Sequence, residues 1–362
     1  MHHDFDIEGE FETAFELSDV LANGVGWAQA LQLANLLRQL PDQGPAAAGG
    51  RSFFSRQKKH HTLTRDREAV SFHYDVLNEF YKLWLDANMV YSCAYFQQAD
   101  QSLENAQTAE FALLCRKLRL RPGQRVLDIG CGWGGFTVYA AQHHGVEVVG
   151  VTLSGRQYEE GTARVKREGL SGRIHLDLLD YRELAEPAGF DAIVSVGMAE
   201  HLGLENLPAY FRTVYGLLKP GGLFLNHAIG KGPRYRPSQG TSIINEYVFP
   251  DTDLPPIRAT TAEAEAAGFE VRDVENLREH YALTLRHWGR RLAAHHEEAL
   301  QYVNEPTCRV WRLYMAGRAH AFEYGGLALY QTLLAKLPAS GQLGLPLTRQ
   351  AWYEPDDGML LA

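Results

Sequence analysis

Cysteine, long apolar runs and surplus positive charge are all scarce in this chain, and each scarcity removes a class of function. The four cysteines, Cys93, Cys115, Cys131 and Cys308, lack the paired spacing of a zinc site or a disulfide framework, so no metal is expected and a reducing cytoplasm suits them. No apolar run approaches the length of a membrane span. The N-terminus, His2-His3-Asp4-Phe5, has no basic segment followed by an apolar one. The expected location is therefore the cytoplasm, with at most peripheral contact at the inner face of a membrane. A net charge of −9 argues against a nucleic-acid partner and against adhesion to anionic lipid through bulk charge. A local basic patch escapes the second exclusion.

At 362 residues the chain is long for one domain and short for three, so one main α/β domain with additions is expected. Its centre is the stretch 126–135, VLDIGCGWGG, followed one helix later by a second apolar run at 146–153. Strand, glycine-rich turn, helix and strand form the first unit of a doubly wound, Rossmann-like sheet, with its ligand site at the carboxyl end of the first strand. Glycines there let a ligand approach the backbone. No Lys follows them, which excludes a P-loop, and Asp128 would set a negative charge beside any phosphate. A ligand with a cationic centre fits better. S-adenosylmethionine carries a sulfonium and an ammonium, and the pattern Asp-x-Gly-x-Gly-x-Gly resembles the first motif of class I methyltransferases.

In chain order, residues 1–65 are expected to hold an amphipathic helix, a Pro/Gly/Ala linker at 41–50 and a basic, His-rich stretch at 51–67. The basic stretch reads equally as a lipid-headgroup contact or a solvated connector. Residues 66–117 read as a helical segment capping the cofactor, 118–337 as the methyltransferase domain with helical additions, and 338–362 as a tail. Strands are expected near 125–129, 146–151, 173–177, 190–196, 222–228 and 269–275, the last two antiparallel-edge in character, with a helical, aromatic remainder.

Several further motifs stand in order along the chain: His73-Tyr74-Asp75, YSCAYF at 91–96, GVTLSGRQ at 150–157, MAEHLG at 198–203, NHAIG at 226–230, EYVFPDTDLP at 246–255 and ENLREHYALTLRHW at 275–288. With the glycine turn they resemble the cyclopropane-fatty-acyl-phospholipid synthase family, which includes the mycolic acid cyclopropane synthases, over roughly residues 66–330. The resemblance implies that a methyl carbon of S-adenosylmethionine is transferred to the double bond of an unsaturated acyl chain in a membrane phospholipid. A base, thought in the family to be bound bicarbonate, then takes a proton from the new methyl and the ring closes.

By motif match, the residues implied to hold bicarbonate are Cys93, Glu200, His227, Ile229 through its backbone, and Tyr281. Glu200 would accept from the bicarbonate hydroxyl, and His227 and Tyr281 would donate to its other oxygens. Taken singly, each has an ordinary reading as a helix cap, a structural histidine, a buried thiol or a core ring. For the cofactor, Gly130, Gly132 and Gly134 would admit the methionine part above Asp128, beside Trp133. The end of the second strand has no acid for the ribose, so Thr152, Leu153 and Gln157 are the expected substitutes. Tyr91 and Ser92 would close over a cationic ligand, and Asp180-Tyr181 falls either near the adenine or in a surface turn. Of the aromatic residues Tyr247, Phe249, Tyr281, Trp288, Trp311, Tyr314, Phe322 and Tyr324, two or three are expected at the site and the rest in the core.

Two departures from the family pattern, Ala199 where Phe is common and Ala228 where Thr is common, remove volume near the proposed base site. They bear on the product: a C-methyltransferase giving a methyl- or methylene-branched chain is the first alternative. A small-molecule O- or N-methyltransferase is a second, and a lipid-binding protein with a decayed site a third. A homodimer is compatible with the N-terminal region.

Overall fold

The computed structural model describes residues 77–236, 248 and 253–353, together with Phe11, Glu12, Thr13, Phe15, Gly26, Leu31, Gln32 and Asn35. The expected linker, the basic stretch, His73-Tyr74-Asp75, Tyr247, Phe249 and most of the 246–255 motif lie outside these residues.

A seven-stranded sheet organises the rest. Its strands are β1 (Arg125–Ile129), β2 (Glu147–Thr152), β3 (Ile174–Leu178), β4 (Phe190–Val196), β5 (Leu218–Lys231), β6 (Glu270–Asn276) and β7 (Leu327–Ala335), in the order β3-β2-β1-β4-β5-β7-β6. β1 through β5 run parallel, and the order reverses about β1, which pairs with β2 on one side and β4 on the other. A doubly wound sheet places its ligand crevice at such a reversal, beyond the carboxyl ends of the strands.

Two expectations fail. The segment 222–228 belongs to β5, which is neither edge nor antiparallel to its predecessor: Leu223–His227 pairs in parallel with Ala192–Val196, and β7 covers the far side. Of the two, β6 alone is an edge strand, antiparallel to β7. The supposedly helical remainder after Asn276 also contains β7, which runs antiparallel between β5 and β6. Its sequence, LALYQTLLA, is rich in good helix formers, and eight of its nine residues are buried, so it shows no alternation. Pairing on both edges overrides local propensity there.

Helices cover both faces. α2 (Leu103–Leu118), α3 (Gly135–His144) and α4 (Gly155–Arg167) pack on one face through residues such as Phe111, Leu114, Phe136 and Val165. α5 (Leu207–Leu217) and α6 (Ile257–Ala266) pack on the other around Tyr210, Phe211, Phe224 and Phe269. A third apolar cluster joins α1 (Asn78–Lys82), the segment 89–96, and two long helices inserted between β6 and β7, α7 (Arg278–Ala294) and α8 (Glu305–Glu323). α2 starts where the Ser102 hydroxyl accepts from the Asn105 amide, and α8 where Asn304 accepts from Thr307 just before Pro306 sets the first turn.

Among the described residues no helix is long and apolar enough to cross a membrane. β7 supplies a direct check on the architecture. Leu334 is fully buried against the α5 face, so Leu334→Ala is expected to lower unfolding free energy by about 2–5 kcal/mol in denaturant titration. A near-neutral result would place this segment outside the core.

Candidate active site

The glycine turn folds as its composition dictates. Gly130, Gly132 and Gly134 have φ of 82°, 55° and 77°, a region that L side chains rarely adopt. A Cβ on Gly132 would meet nothing within 4 Å, because that position opens onto a cleft. The cleft has about 1150 Å³ of empty space including its mouth and lies beyond the ends of β1, β2 and β4.

Of the ten residues expected to hold the cofactor, nine line this cleft: Tyr91, Ser92, Asp128, Gly130, Gly132, Trp133, Thr152, Leu153 and Gln157. Gly134 stands back from it. It caps α3, and its missing Cβ would face Gly161 and Leu176, so its part is to turn the chain into the helix. Asp128 is buried at the end of β1 with the Thr137 hydroxyl donating to it at 2.7 Å, and burial pushes its carboxyl up to about 7. Such a carboxyl favours a cationic neighbour. At the end of β2 the Thr152 hydroxyl donates to Gln157 Oε1 at 2.8 Å, which leaves the Gln157 amide nitrogen as a donor. Asp180 also lines the cleft, held at both carboxylate oxygens by Arg182, so the open choice at Asp180-Tyr181 resolves as a cleft wall.

The segment 91–96 is strapped in place on both sides. The Ala94 and Phe96 amides donate to Thr284 Oγ1 and His280 Nδ1 of α7, Tyr95 stacks on His280 with centroids 4.8 Å apart, and Gln107 of α2 donates to the Ser92 carbonyl. It roofs the cleft as a fixed wall. Behind it, Tyr81, Trp84, Tyr91, Trp288 and Trp311 form a box of rings, with Trp84 5.4 Å from Tyr91 and 5.6 Å from Trp288.

The five residues implied to hold the base do not line the cofactor cleft. Cys93, Tyr281 and Ile229 belong to the cluster of the aromatic cap. The Cys93 thiol lies 3.3 Å from the Ala94 carbonyl and 3.9 Å from that of Leu277, and is pushed well up by burial and by Glu110. Tyr281 packs on Phe322 at 4.8 Å and edge-on to Trp288. The Ile229 amide is already engaged, donating to Glu200 Oε1 at 2.7 Å. Glu200 therefore does not act as a helix cap. Its second oxygen is buried without a hydrogen-bond partner among the described residues, and burial pushes the carboxyl up to about 7. His227, at the carboxyl end of β5, is fully enclosed and held down at about 3 by burial and the Lys117 charge. Ala199 and Ala228 do not line the cleft; both are buried in the α5-side core. The volume they remove lies in that core, next in sequence to Glu200 and His227.

Sequence reading missed Glu110, which lines the cleft and is fully buried. It accepts from the Ser92 hydroxyl at 2.7 Å, and burial pushes it up to about 8 against that hydrogen bond. The signal was present: Gln107, Glu110 and Lys117 interrupt the apolar stripe of α2 and are all buried. Met198, Gly197 and His201, also missed, line the cleft from the turn after β4.

These features fit S-adenosylmethionine: a glycine cradle open to a cleft, an enclosed carboxyl suited to a cation, a hydroxyl–amide pair where ribose hydroxyls would lie, and rings over the methyl end. The chain matches the family described as mycolic acid cyclopropane synthetase over residues 61–332. It is 47% identical over 300 residues to a probable fatty acid methyltransferase of Pseudomonas putida, which covers 82% of this chain and 76% of that protein. To the cyclopropane-fatty-acyl-phospholipid synthase of Escherichia coli strain K12 it is 38% identical over 310 residues, 84% of this chain and 76% of the other. Among solved structures, mycolic acid cyclopropane synthase CmaA1 complexed with SAH and CTAB aligns with a TM-score of 0.71 at 33% identity, over 77% of this chain and 99% of that one. The match spans the cleft, its roof and the inserted cap together, and so this chain belongs to the mycolic acid cyclopropane synthetase family of S-adenosylmethionine-dependent methyltransferases.

Proposed function

We propose that the protein adds the methyl carbon of S-adenosylmethionine to the double bond of unsaturated acyl chains of membrane phospholipid and closes a cyclopropane ring, with bicarbonate held by Cys93, Glu200, His227, Ile229 and Tyr281 as the base. The observation that carries this reading is the Glu200 carboxyl, whose Oε2 is buried without a partner under an apolar, aromatic cap. An unspent acceptor in such surroundings calls for a small ligand with a hydroxyl, which bicarbonate is. The Ile229 amide would serve the site indirectly, by orienting Glu200 through its hydrogen bond.

S-adenosylmethionine, when bound, supplies an electrophilic methyl group; the alkene supplies the electron pair. This chain contributes position, dryness and the groups that would hold the base. Gly130, Gly132 and Asp128 hold the donor end, and Trp133 closes one side of the cleft. Tyr91 lines the cleft and would present its ring to positive charge on the acyl chain, while Tyr81, Trp84, Trp288 and Trp311 packed around it would exclude water that would trap the cation. Loss of one proton from the new methyl to the base completes a net gain of one CH2. Because the acceptor chain lies in a bilayer, the protein would work at a membrane surface.

A second reading is favoured by one observation: the 47% identical relative is named as a fatty acid methyltransferase. A methylenated chain would then be the product of the same site, by a 1,2-hydride shift from the methylated carbon to the cationic one before the methyl loses its proton, or a methyl-branched alkene by loss of a proton from the neighbouring chain carbon.

Purified protein with S-adenosylmethionine and vesicles of unsaturated phosphatidylethanolamine is expected to give acyl chains heavier by one CH2, with the rate dependent on added bicarbonate. Unchanged acyl masses across several unsaturated lipids would overturn the proposal, and proton NMR lacking cyclopropane signals would select the branched product. Glu200→Gln is expected to keep cofactor affinity while turnover falls by about 10²- to 10⁴-fold. Lost cofactor binding at an unchanged melting temperature would remove Glu200 from the base site.

Asp128 gives a pH test. Its carboxyl sits at about 7 in the free protein, and a cationic ligand stabilises only the charged form. Binding therefore releases a proton, and affinity for S-adenosylmethionine is expected to rise with pH from about 6 to 8 and then level off. Isothermal titration across that range checks the slope. Asp128→Asn should flatten it, and a slope retained in that variant would assign the titration elsewhere.

A further inference from the structure

The proposed mechanism leaves Lys117, Gln331 and Glu110 without a part, although all three are fully buried. They meet at one row of the sheet. His227 of β5 pairs with Gln331 of β7, which pairs in turn with Glu275 of β6, so the three side chains share one face. α2 lies over that face and brings Glu110 and Lys117 to it.

The hydrogen bonds along this row have only one consistent set of directions. Lys117 is ion-paired with Glu275, lies 3.7 Å from Asp273, and donates from Nζ to Gln331 Oε1 at 2.8 Å. An ammonium has three donors and no acceptor, so the amide of Gln331 must turn its oxygen to Lys117 and its NH2 away. On that far side His227 Nδ1 lies 3.2 Å from Gln331 Nε2. Nδ1 therefore accepts. His227 is neutral near pH 7, because burial and the Lys117 charge hold it at about 3, and a neutral imidazole with an accepting Nδ1 carries its proton on Nε2.

Glu110 agrees from the opposite side. Its Oε1 lies 3.4 Å from the same Nδ1, while its Oε2 takes the Ser92 hydroxyl. A carboxylate there would face a lone pair. A carboxylic acid, which burial favours by pushing Glu110 up to about 8, removes that repulsion. The contact is then a neutral proximity, and the hydrogen bond to Nδ1 is the one from the Gln331 amide.

We propose that Lys117 and Gln331 are positioning residues that fix His227 as its Nε2–H tautomer, so that the ring's single N–H donor is reserved for the acceptor oxygens of the base site. The use of that donor rests on the function proposed above; the tautomer does not. The two parts separate in one experiment.

Protein labelled with ¹⁵N-histidine is compared with Gln331→Glu at pH 7, the His227 signals being assigned by their loss in His227→Asn. Glutamate is isosteric, keeps an acceptor for Lys117 and turns a second acceptor toward Nδ1. Wild-type protein is expected to show Nε2 protonated and Nδ1 bare. The variant is expected to show the reverse, with turnover on unsaturated phospholipid vesicles lower by about 10- to 100-fold and S-adenosylmethionine affinity within about twofold. A wild-type ring protonated on Nδ1, or on both nitrogens, overturns the assignment, and this arm does not depend on Gln331→Glu folding. An unchanged tautomer in Gln331→Glu removes Gln331 from the role. A reversed tautomer with unchanged turnover leaves the tautomer standing and removes His227 from the base site.

Discussion

Taking a carboxyl out of water without a cation beside it costs several kcal/mol if the group stays charged, and this site does so three times. Asp128, Glu110 and Glu200 are all buried, and burial outweighs the one or two hydrogen bonds each receives. The protein leaves each debt to be met differently. Asp128 opens onto the cleft, where a ligand can bring positive charge. Glu110 is met in part internally, with the Ser92 hydroxyl on one oxygen and the neutral His227 ring beside the other. Glu200 keeps one oxygen free. On the function proposed, the three groups would sort the ligands: a cation at the end of β1, none at α2, and a hydroxyl donor beside β5.

That sorting depends on dryness, and the cap supplies it. α7 and α8 enter between β6 and β7, so the chain leaves the sheet at its edge, builds a helical pair carrying Tyr281, Trp288, Trp311 and Phe322, and returns as the strand beside β5. An insertion closed by a strand is held at both ends by sheet hydrogen bonds, and the straps from Thr284 and His280 to the segment 91–96 tie it across the cleft roof. Closing the roof thus uses backbone donors that would otherwise be buried without partners.

The parts of this arrangement that were legible in the sequence are those written in contiguous residues. VLDIGCGWGG specifies strand, turn and helix locally, because the positive φ at three glycines admits almost nothing else. Asp128, Gly130, Gly132 and Trp133 reach the cleft for that reason, while Gly134, obeying the same local rule, serves the turn alone. β7 was not legible, since Leu and Ala favour helix and its strand state comes from partners more than a hundred residues away in one case and about sixty in the other. Glu110 and Lys117 were legible only as charged interruptions of an apolar stripe. Such a break says that a group is buried and needs partners, without saying which.

The misread strand explains the misread residues. With β7 taken as helix, His227 sits near a sheet edge, where a histidine has water for a partner and no defined tautomer. With β7 in place, His227 faces Gln331 in register, Gln331 faces Glu275, and the row is closed to solvent from above by α2. A lysine can then be buried, because Glu275 and Asp273 neutralise it and Gln331 takes its remaining donor. The antiparallel strand is thus what turns a lone histidine in a motif into a ring of fixed protonation. The glycine turn on the parallel half of the sheet selects the methyl donor; the pairing on the antiparallel half sets the hydrogen-bonding state of the residue expected to face the acceptor.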